Sequence, residues 1–175
     1  DEVVALLAAS GVLPIVDLAY QGLGKGWDED AYGARLVADR LPEALIAYSC
    51  DKNFGLYRDR VGALYVLAAE AGDVAPIMSN GHALARANWS MPPDHGGAAV
   101  RLVLEDAALT ADWQAELASM RERINQVRQR LAAASNIGGI NLAPLAGQSG
   151  MFAMLALDKD QILALREQHG VYMAG

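Results

Sequence analysis

Apolar and polar positions divide the chain into short apolar runs at its start and longer amphipathic stretches further on. Residues 2–9 carry a helical pattern that stops at Ser10-Gly11, a helix-ending pair. The run Val12–Leu18 is apolar apart from Asp17 and reads as a buried strand, with Pro14 near its start. Gly22, Gly24 and Gly26 then rule out regular structure over residues 19–26. Asp28 is placed to cap a helix reaching about Arg40, closed by Pro42. Residues 44–48 and 61–67 read as two more buried strands. The segment 50–60 between them is long for a tight hairpin and short for a helical crossover. These two strands are therefore expected to be antiparallel neighbours, and the first two, separated by a helix, to be parallel.

Helical spacing dominates the next stretch. One helix is expected over 73–88, softened at Gly81 and ended by Met91-Pro92-Pro93, and another over 95–106. A long helix over 111–134, capped by Thr110, places Trp113, Leu117, Met120, Ile124, Val127 and Leu131 at spacings of three and four. Arg121, Glu122, Arg123, Gln126, Arg128 and Arg130 read as its solvated face. Residues 136–139 form a turn or linker, and 151–157 a strand. Asp158 caps a helix through about His169 that Gly170 ends, and 171–174 is a last strand. The first part is thus α/β and the end a small α+β unit, with the long helix bridging them.

Composition narrows the function. With 53% hydrophobic and 20% charged residues, the 175 residues can build a sizeable core. Fourteen basic against twenty-one acidic residues give a net charge of −7. That balance argues against nucleic acid and anionic membranes as partners. No apolar run reaches membrane-spanning length. The single cysteine, Cys50, excludes an internal disulfide and fits a reducing compartment. Three scattered histidines give no zinc spacing, so no metal is expected. The chain lacks an initiator methionine and stops on a strand-like run, which suggests a piece of a longer protein.

The chemistry gathers at strand ends, where open α/β sheets bind ligands. The first strand ends at Asp17, with Tyr20 close behind. The second ends at Ser49, followed by Lys52 and Arg60. An acid at a buried strand end needs a cation. A lysine just past a strand can act as a nucleophile, and a hydroxyl with a guanidinium suits a phosphate. These are the parts of a pyridoxal phosphate site. Spacing alone favours an ordinary salt-bridged sheet edge, since such edges are often charged.

One segment goes further. Ser49-Cys50-Asp51-Lys52-Asn53-Phe54-Gly55-Leu56-Tyr57-Arg58-Asp59-Arg60-Val61-Gly62 closely resembles the cofactor-lysine segment of the class I aspartate/aromatic amino acid aminotransferases, which are fold-type I pyridoxal phosphate enzymes. It matches every fixed position of the family pattern Ser-x-x-Lys-Asn-Phe-Gly-Leu-Tyr-x-x-Arg-Val-Gly. Asp17-Leu18-Ala19-Tyr20-Gln21-Gly22, Arg86-Ala87-Asn88-Trp89-Ser90-Met91-Pro92-Pro93 and Gly150-Met151-Phe152 resemble three further family segments, in order. The resemblance implies that Lys52 holds pyridoxal 5'-phosphate covalently and later moves the substrate proton. It implies that Asp17 pairs with the pyridine nitrogen, Tyr20 with the ring oxygen, and Ser49 and Arg60 with the phosphate. Arg86 would reach the partner subunit's site and bind an acidic side chain, and Phe152 would line the substrate entrance.

The same resemblance implies the last strands of a large-domain sheet, two parallel plus one antiparallel, a long connecting helix and part of a small α+β domain. Residues 1–106 would belong to the cofactor-binding large domain, 107–135 to the connecting helix and 136–175 to the small domain. The implied enzyme is a cytoplasmic homodimer that moves an amino group between amino acids and 2-oxo acids, usually 2-oxoglutarate, by a ping-pong route. Family members are more than twice as long, and the arginine for the substrate α-carboxylate would fall beyond Gly175. The chain alone is therefore expected to be an inactive fragment. Two rivals remain on this reading: a β-lyase or decarboxylase of the same fold, and a non-catalytic interaction domain that kept it. Met91 leaves the choice between aromatic and acidic substrates open.

Overall fold

The structure, a computed structural model, describes residues 1–137 and 139–173. Helix α1 (Glu2–Ser10) ends at Gly11, whose φ of 66° is the left-handed conformation that stops a helix. Strand β1 (Ile15–Leu18) follows. The single helix expected over 28–40 is two, α2 (Trp27–Asp30) and α3 (Tyr32–Arg40). Asp28 does not cap it: Trp27 turns inward to meet the Trp113 ring edge-on at 5.0 Å, which starts the helix one residue earlier. Asp28 pairs instead with Arg35 at 3.0 Å.

Strand β2 (Ala44–Ser49) runs parallel to β1 and antiparallel to β3 (Gly62–Leu67), giving the order β1-β2-β3 as expected. One face of this sheet is covered. Val4 of α1, Val37 of α3, Leu41 and Ala44 form a buried cluster, with Leu7, Val16, Leu36 and Leu67 against it. The three strands are not equally buried, however. Only β2 has a neighbour on both sides, and β1 and β3 are edges. Ile15 is 70% exposed and Leu64 59% exposed, both on the face opposite the cluster by strand register.

Helix α4 (Val74–Trp89) runs unbroken through Gly81, and α5 (His95–Glu105) follows. The long helix α6 (Ala107–Ala133) begins earlier than Thr110. The Asp106 carboxylate accepts from the amides of Ala108 and Leu109 at 2.8 and 3.0 Å, because a charged acceptor satisfies the free first-turn amides well. Thr110 donates its hydroxyl to the Val103 carbonyl instead. Strands β4 (Asn136–Ile137) and β5 (Ile140–Asn141) pair antiparallel, and Gly138 lies outside the described residues. Helix α7 (Lys159–His169) has the expected start and stop: Asp158 and Gln161 cap each other's backbone amides, and Gly170 adopts φ 64°.

Residues 151–157 form no strand. The side-chain amide of Gln148 takes the place of a strand partner, donating to the Met154 carbonyl at 2.9 Å and accepting from its amide at 2.7 Å. Residues 171–173 form no strand either, and Ala174 lies outside the described residues. The chain divides into two compact units, residues 1–120 and 121–175. No described helix is long and apolar enough to cross a membrane.

The loop from β2 to β3 is tied to the sheet from beneath. Asn53, 1% exposed, donates to the Tyr48 hydroxyl at 2.8 Å and to the Gln21 carbonyl at 3.2 Å. Gln21 in turn donates to the Trp27 carbonyl at 2.8 Å. Burial pushes the Tyr48 phenol up to about 12, against the smaller pull of the Asn53 hydrogen bond. At the same end of this strand pair, Gly62 leaves no room for a side chain. A Cβ there would lie 2.3 Å from the Tyr48 carbonyl oxygen.

Two outcomes follow for stability. Gly62→Ala should cost about 1–3 kcal/mol in urea unfolding, since backbone rather than a flexible side chain must yield. For Tyr48, both folded and unfolded chains keep the phenol proton below about pH 10. Above it the unfolded chain releases the proton first, so stability falls as pH rises toward 12. Phenolate absorbance should show a late step near that value. Tyr48→Phe should abolish that late step.

Candidate functional site

The two parallel strands end at one edge of the sheet, and five of the expected residues, Asp17, Tyr20, Ser49, Lys52 and Arg60, lie on or just past the strand ends there. Asp17 pairs in register with Ala47, one residue before the end of β1. It is exposed rather than buried, because β1 is an edge strand. Water solvates the carboxylate, and no hydrogen bond or ion pair among the described residues involves it. Tyr20 is half-buried just past the strand. The Lys52 Nζ stands 5.2 Å from the centre of the Tyr20 ring, so the loops after β1 and β2 meet at this pair. No carboxylate among the described residues comes within ion-pair distance of Lys52.

Ser49 closes β2 opposite Gly62, and its hydroxyl accepts from the Asp51 amide at 3.2 Å. Lys52 then sits in a tight turn, with Phe54 donating to the Cys50 carbonyl at 3.2 Å and Gly55 to the Lys52 carbonyl at 3.3 Å. Its two sequence neighbours, Asp51 and Asn53, are each 1% exposed. The Asp51 carboxylate accepts from Arg60 Nη1 and, at 3.2 Å, from the Val61 amide. Arg60 also donates Nη1 to the Tyr57 carbonyl at 3.3 Å and adopts φ 54°. Its guanidinium stays largely exposed, leaving Nε and Nη2 for an anion. Burial pushes the Cys50 thiol up, away from the reactive thiolate.

The glycine-rich loop after β1 is occupied from within. The Asp30 carboxylate accepts from the amides of Gly22, Gly24 and Lys25 at 2.9, 2.8 and 2.8 Å. Gly22, at φ 88°, lies so close to Leu117 of α6 that a Cβ would meet its Cδ2 at 2.4 Å. Arg86 projects from the last turn of α4, exposed and without an ion pair among the described residues. The structure does not tie it to the strand-end group.

In the second unit Phe152 is 70% exposed, within the segment that forms no strand. Arg128 is a correction to the solvated face expected of the long helix, for it is only 5% exposed. Its Nη2 donates to the Gly150 carbonyl and, at 3.3 Å, to that of Phe152, and its Nη1 donates to Asn125 Oδ1 at 2.9 Å. It thereby fastens the Gly150–Phe152 segment to α6. Arg128, Asp51, Asn53 and Trp113 are the residues that sequence reasoning missed. For Asp51, the cue was an acid nine residues before an arginine in a loop that must fold back on itself.

The strand-end donor set fits pyridoxal phosphate. It offers a carboxylate without a cation, an amine without an acid, a phenol beside that amine, and a hydroxyl and guanidinium on the next turn. A self-neutralised salt-bridged edge would pair Asp17 with Lys52. The ion pair that forms here is Arg60 with Asp51.

Comparison with known proteins shows the family of the chain. The sequence profile of the family described as Aminotransferase class I and II matches residues 1–175. A tyrosine aminotransferase of Rhizobium meliloti (strain 1021) is 46% identical over 172 residues, which is 98% of this chain and 44% of that protein. An aspartate aminotransferase of Escherichia coli (strain K12) is 43% identical over 169 residues, covering 95% of this chain and 43% of the relative. Among solved structures, an aromatic amino acid aminotransferase with 3-indolebutyric acid superposes with a TM-score of 0.92 at 41% identity, over 99% of this chain and 44% of that one. An aromatic-amino-acid aminotransferase from Burkholderia pseudomallei, covalently bound to pyridoxal phosphate, gives a TM-score of 0.89 at 35% identity, over 98% of this chain and 44% of that one. The chain thus spans less than half the length of these relatives and carries part of their fold-type I α/β architecture. With the match unbroken from its first residue to its last, it belongs to the class I and II aminotransferases.

Proposed function

We propose that these 175 residues work within a longer pyridoxal-phosphate-dependent aminotransferase, a cytoplasmic homodimer acting on aromatic or acidic amino acids with 2-oxoglutarate. The observation that carries the reading is the cation-over-ring contact of Lys52 with Tyr20 beyond the ends of two parallel strands, with neither Lys52 nor Asp17 in an ion pair among the described residues. Pyridoxal phosphate, when bound, supplies an aldehyde for an amine and a cationic ring that draws electrons from the bond being broken. Lys52 is the amine that would hold it and, freed when substrate binds, would move the proton between the substrate α-carbon and the cofactor's C4′ carbon. Asp17 holds a proton on the ring nitrogen, each charge favouring the other. Tyr20 donates to the ring oxygen, and Ser49 with the open Nε and Nη2 of Arg60 binds the phosphate. The amino acid and the 2-oxo acid would use the same residues in turn, the first leaving its amino group behind and departing before the second binds, which makes the kinetics ping-pong.

The remaining roles rest on exposed residues. Arg86 reaches the site of a second copy and binds the side-chain carboxylate of an acidic substrate. In support, α4 buries none of its residues and shows Met78, Leu84 and Trp89 to solvent along with Arg86. Phe152 borders the substrate entrance. Residues 1–106 then belong to the large domain, 107–135 to the connecting helix and 136–175 to the small domain.

Borohydride reduction of the complete enzyme with its cofactor, followed by peptide mapping, should place the label on Lys52. Label on Lys25 or Lys159 would sink the assignment. Arg86→Leu should lower kcat/KM for aspartate roughly ten- to hundredfold, the worth of one charged hydrogen-bonded contact, and leave phenylalanine within a few-fold. Equal losses for both substrates would exclude a role specific to acidic side chains.

A further inference from the structure

Helix α6 touches both loops of the candidate site through two residues one turn apart. Leu117, 2% exposed, packs on Gly22 in the loop that carries Tyr20. Trp113, four residues earlier and so on the same helix face, reaches the loop that carries Lys52. Its indole Nε1 donates to the Asn53 carbonyl at 2.8 Å across a sequence separation of 60. Its ring stacks on Phe54, with centroids 4.2 Å apart and planes 12° from parallel. Trp27 meets the same ring edge-on.

These contacts fall on one side of Lys52. The peptide after it is held by the indole and by the Asn53 side chain, which bonds Tyr48 and Gln21. The peptide before it is held by Asp51, through Arg60 and the Val61 amide. A lysine whose neighbours are both buried and fastened keeps its Cα fixed, while its four-carbon stem remains half-exposed. Reactions that depend on an amine meeting one atom at one angle are sensitive to such placement.

We propose that Trp113 is a positioning residue for Lys52, acting through the Asn53 carbonyl and the Phe54 ring. The proposal rests on the reading of Lys52 given above. Trp113 needs no contact with cofactor or substrate to do this. Its two contributions are separable, since phenylalanine keeps the stack and loses only the indole N–H.

The test compares Trp113→Phe and Trp113→Leu with the unaltered complete enzyme. Amide exchange is read in the peptide over residues 50–55 without cofactor, and kcat per borohydride-trapped site is read with it. Trp113→Phe should speed exchange in 50–55 by about tenfold, the factor that one buried hydrogen bond carries. Exchange in α1 and α3 should stay unchanged. The same variant should lower kcat per trapped site by a similar factor at unchanged KM, and Trp113→Leu should do more of both. A tryptophan that only fills space predicts otherwise. Trp113→Phe would then leave exchange in 50–55 and kcat per site within twofold, or speed exchange evenly along the chain, and either result overturns the proposal. Label away from Lys52 in the unaltered enzyme overturns both this proposal and the reading beneath it. Unchanged exchange with label on Lys52 overturns the role of Trp113 alone.

Discussion

Parallel pairing of β1 with β2 is the constraint from which the candidate site follows. Parallel strands finish at the same edge of a sheet, so the chain leaves both in the same direction. Their register sets Asp17 beside Ala47, two residues before Ser49, and the loops that follow converge until Lys52 lies over the Tyr20 ring. Antiparallel pairing of the same two strands would have sent Asp17 and Ser49 to opposite edges. The third strand adds something different. By turning back, β3 draws Arg60 to the edge from the far side of the loop, where Asp51 meets it.

That meeting has a conformational cost. A non-glycine residue at φ 54° is disfavoured by about 1–2 kcal/mol, and Arg60 adopts it. Burial of Asp51 supplies the compensation. A carboxylate that is 1% exposed must be matched by donors, and the Arg60 guanidinium and the Val61 amide are the ones that reach it. The loop is therefore determined from inside by an acid, and the cation it recruits keeps its outer face open.

Much of this fold was legible in the chain, for reasons that differ by element. The capping pair Asp158–Gln161 and the stop at Gly170 were readable because both act within one turn of sequence. The order and sense of β1, β2 and β3 were readable from connection lengths. Helix starts at Trp27 and Ala107 were misplaced, because a tertiary contact of Trp27 and a stronger acceptor in Asp106 overrode the local cue. The strand expected over 151–157 failed since an apolar run reports burial propensity, not the partner that supplies a ladder, and here that partner is the side chain of Gln148. The members of the strand-end group were named by a motif, yet nothing in the motif told that Asp17 stands in water or that Arg128 does not. Burial of Arg128 comes from carbonyls 22 and 24 residues away, which periodicity along one helix does not register.

The carboxylate that fills the glycine-rich loop gives the edge a polarity. Loops of this composition beside a strand end are natural cradles for phosphate, through converging amides. Here Asp30 already takes the amides of Gly22, Gly24 and Lys25, so that cradle is closed to any other anion. The donors left open lie on the β2 side, at Lys52 and Arg60, while the acid left open, Asp17, lies on the β1 side. To a molecule with one anionic and one cationic end the edge is therefore a directional surface, basic toward β3 and acidic toward β1.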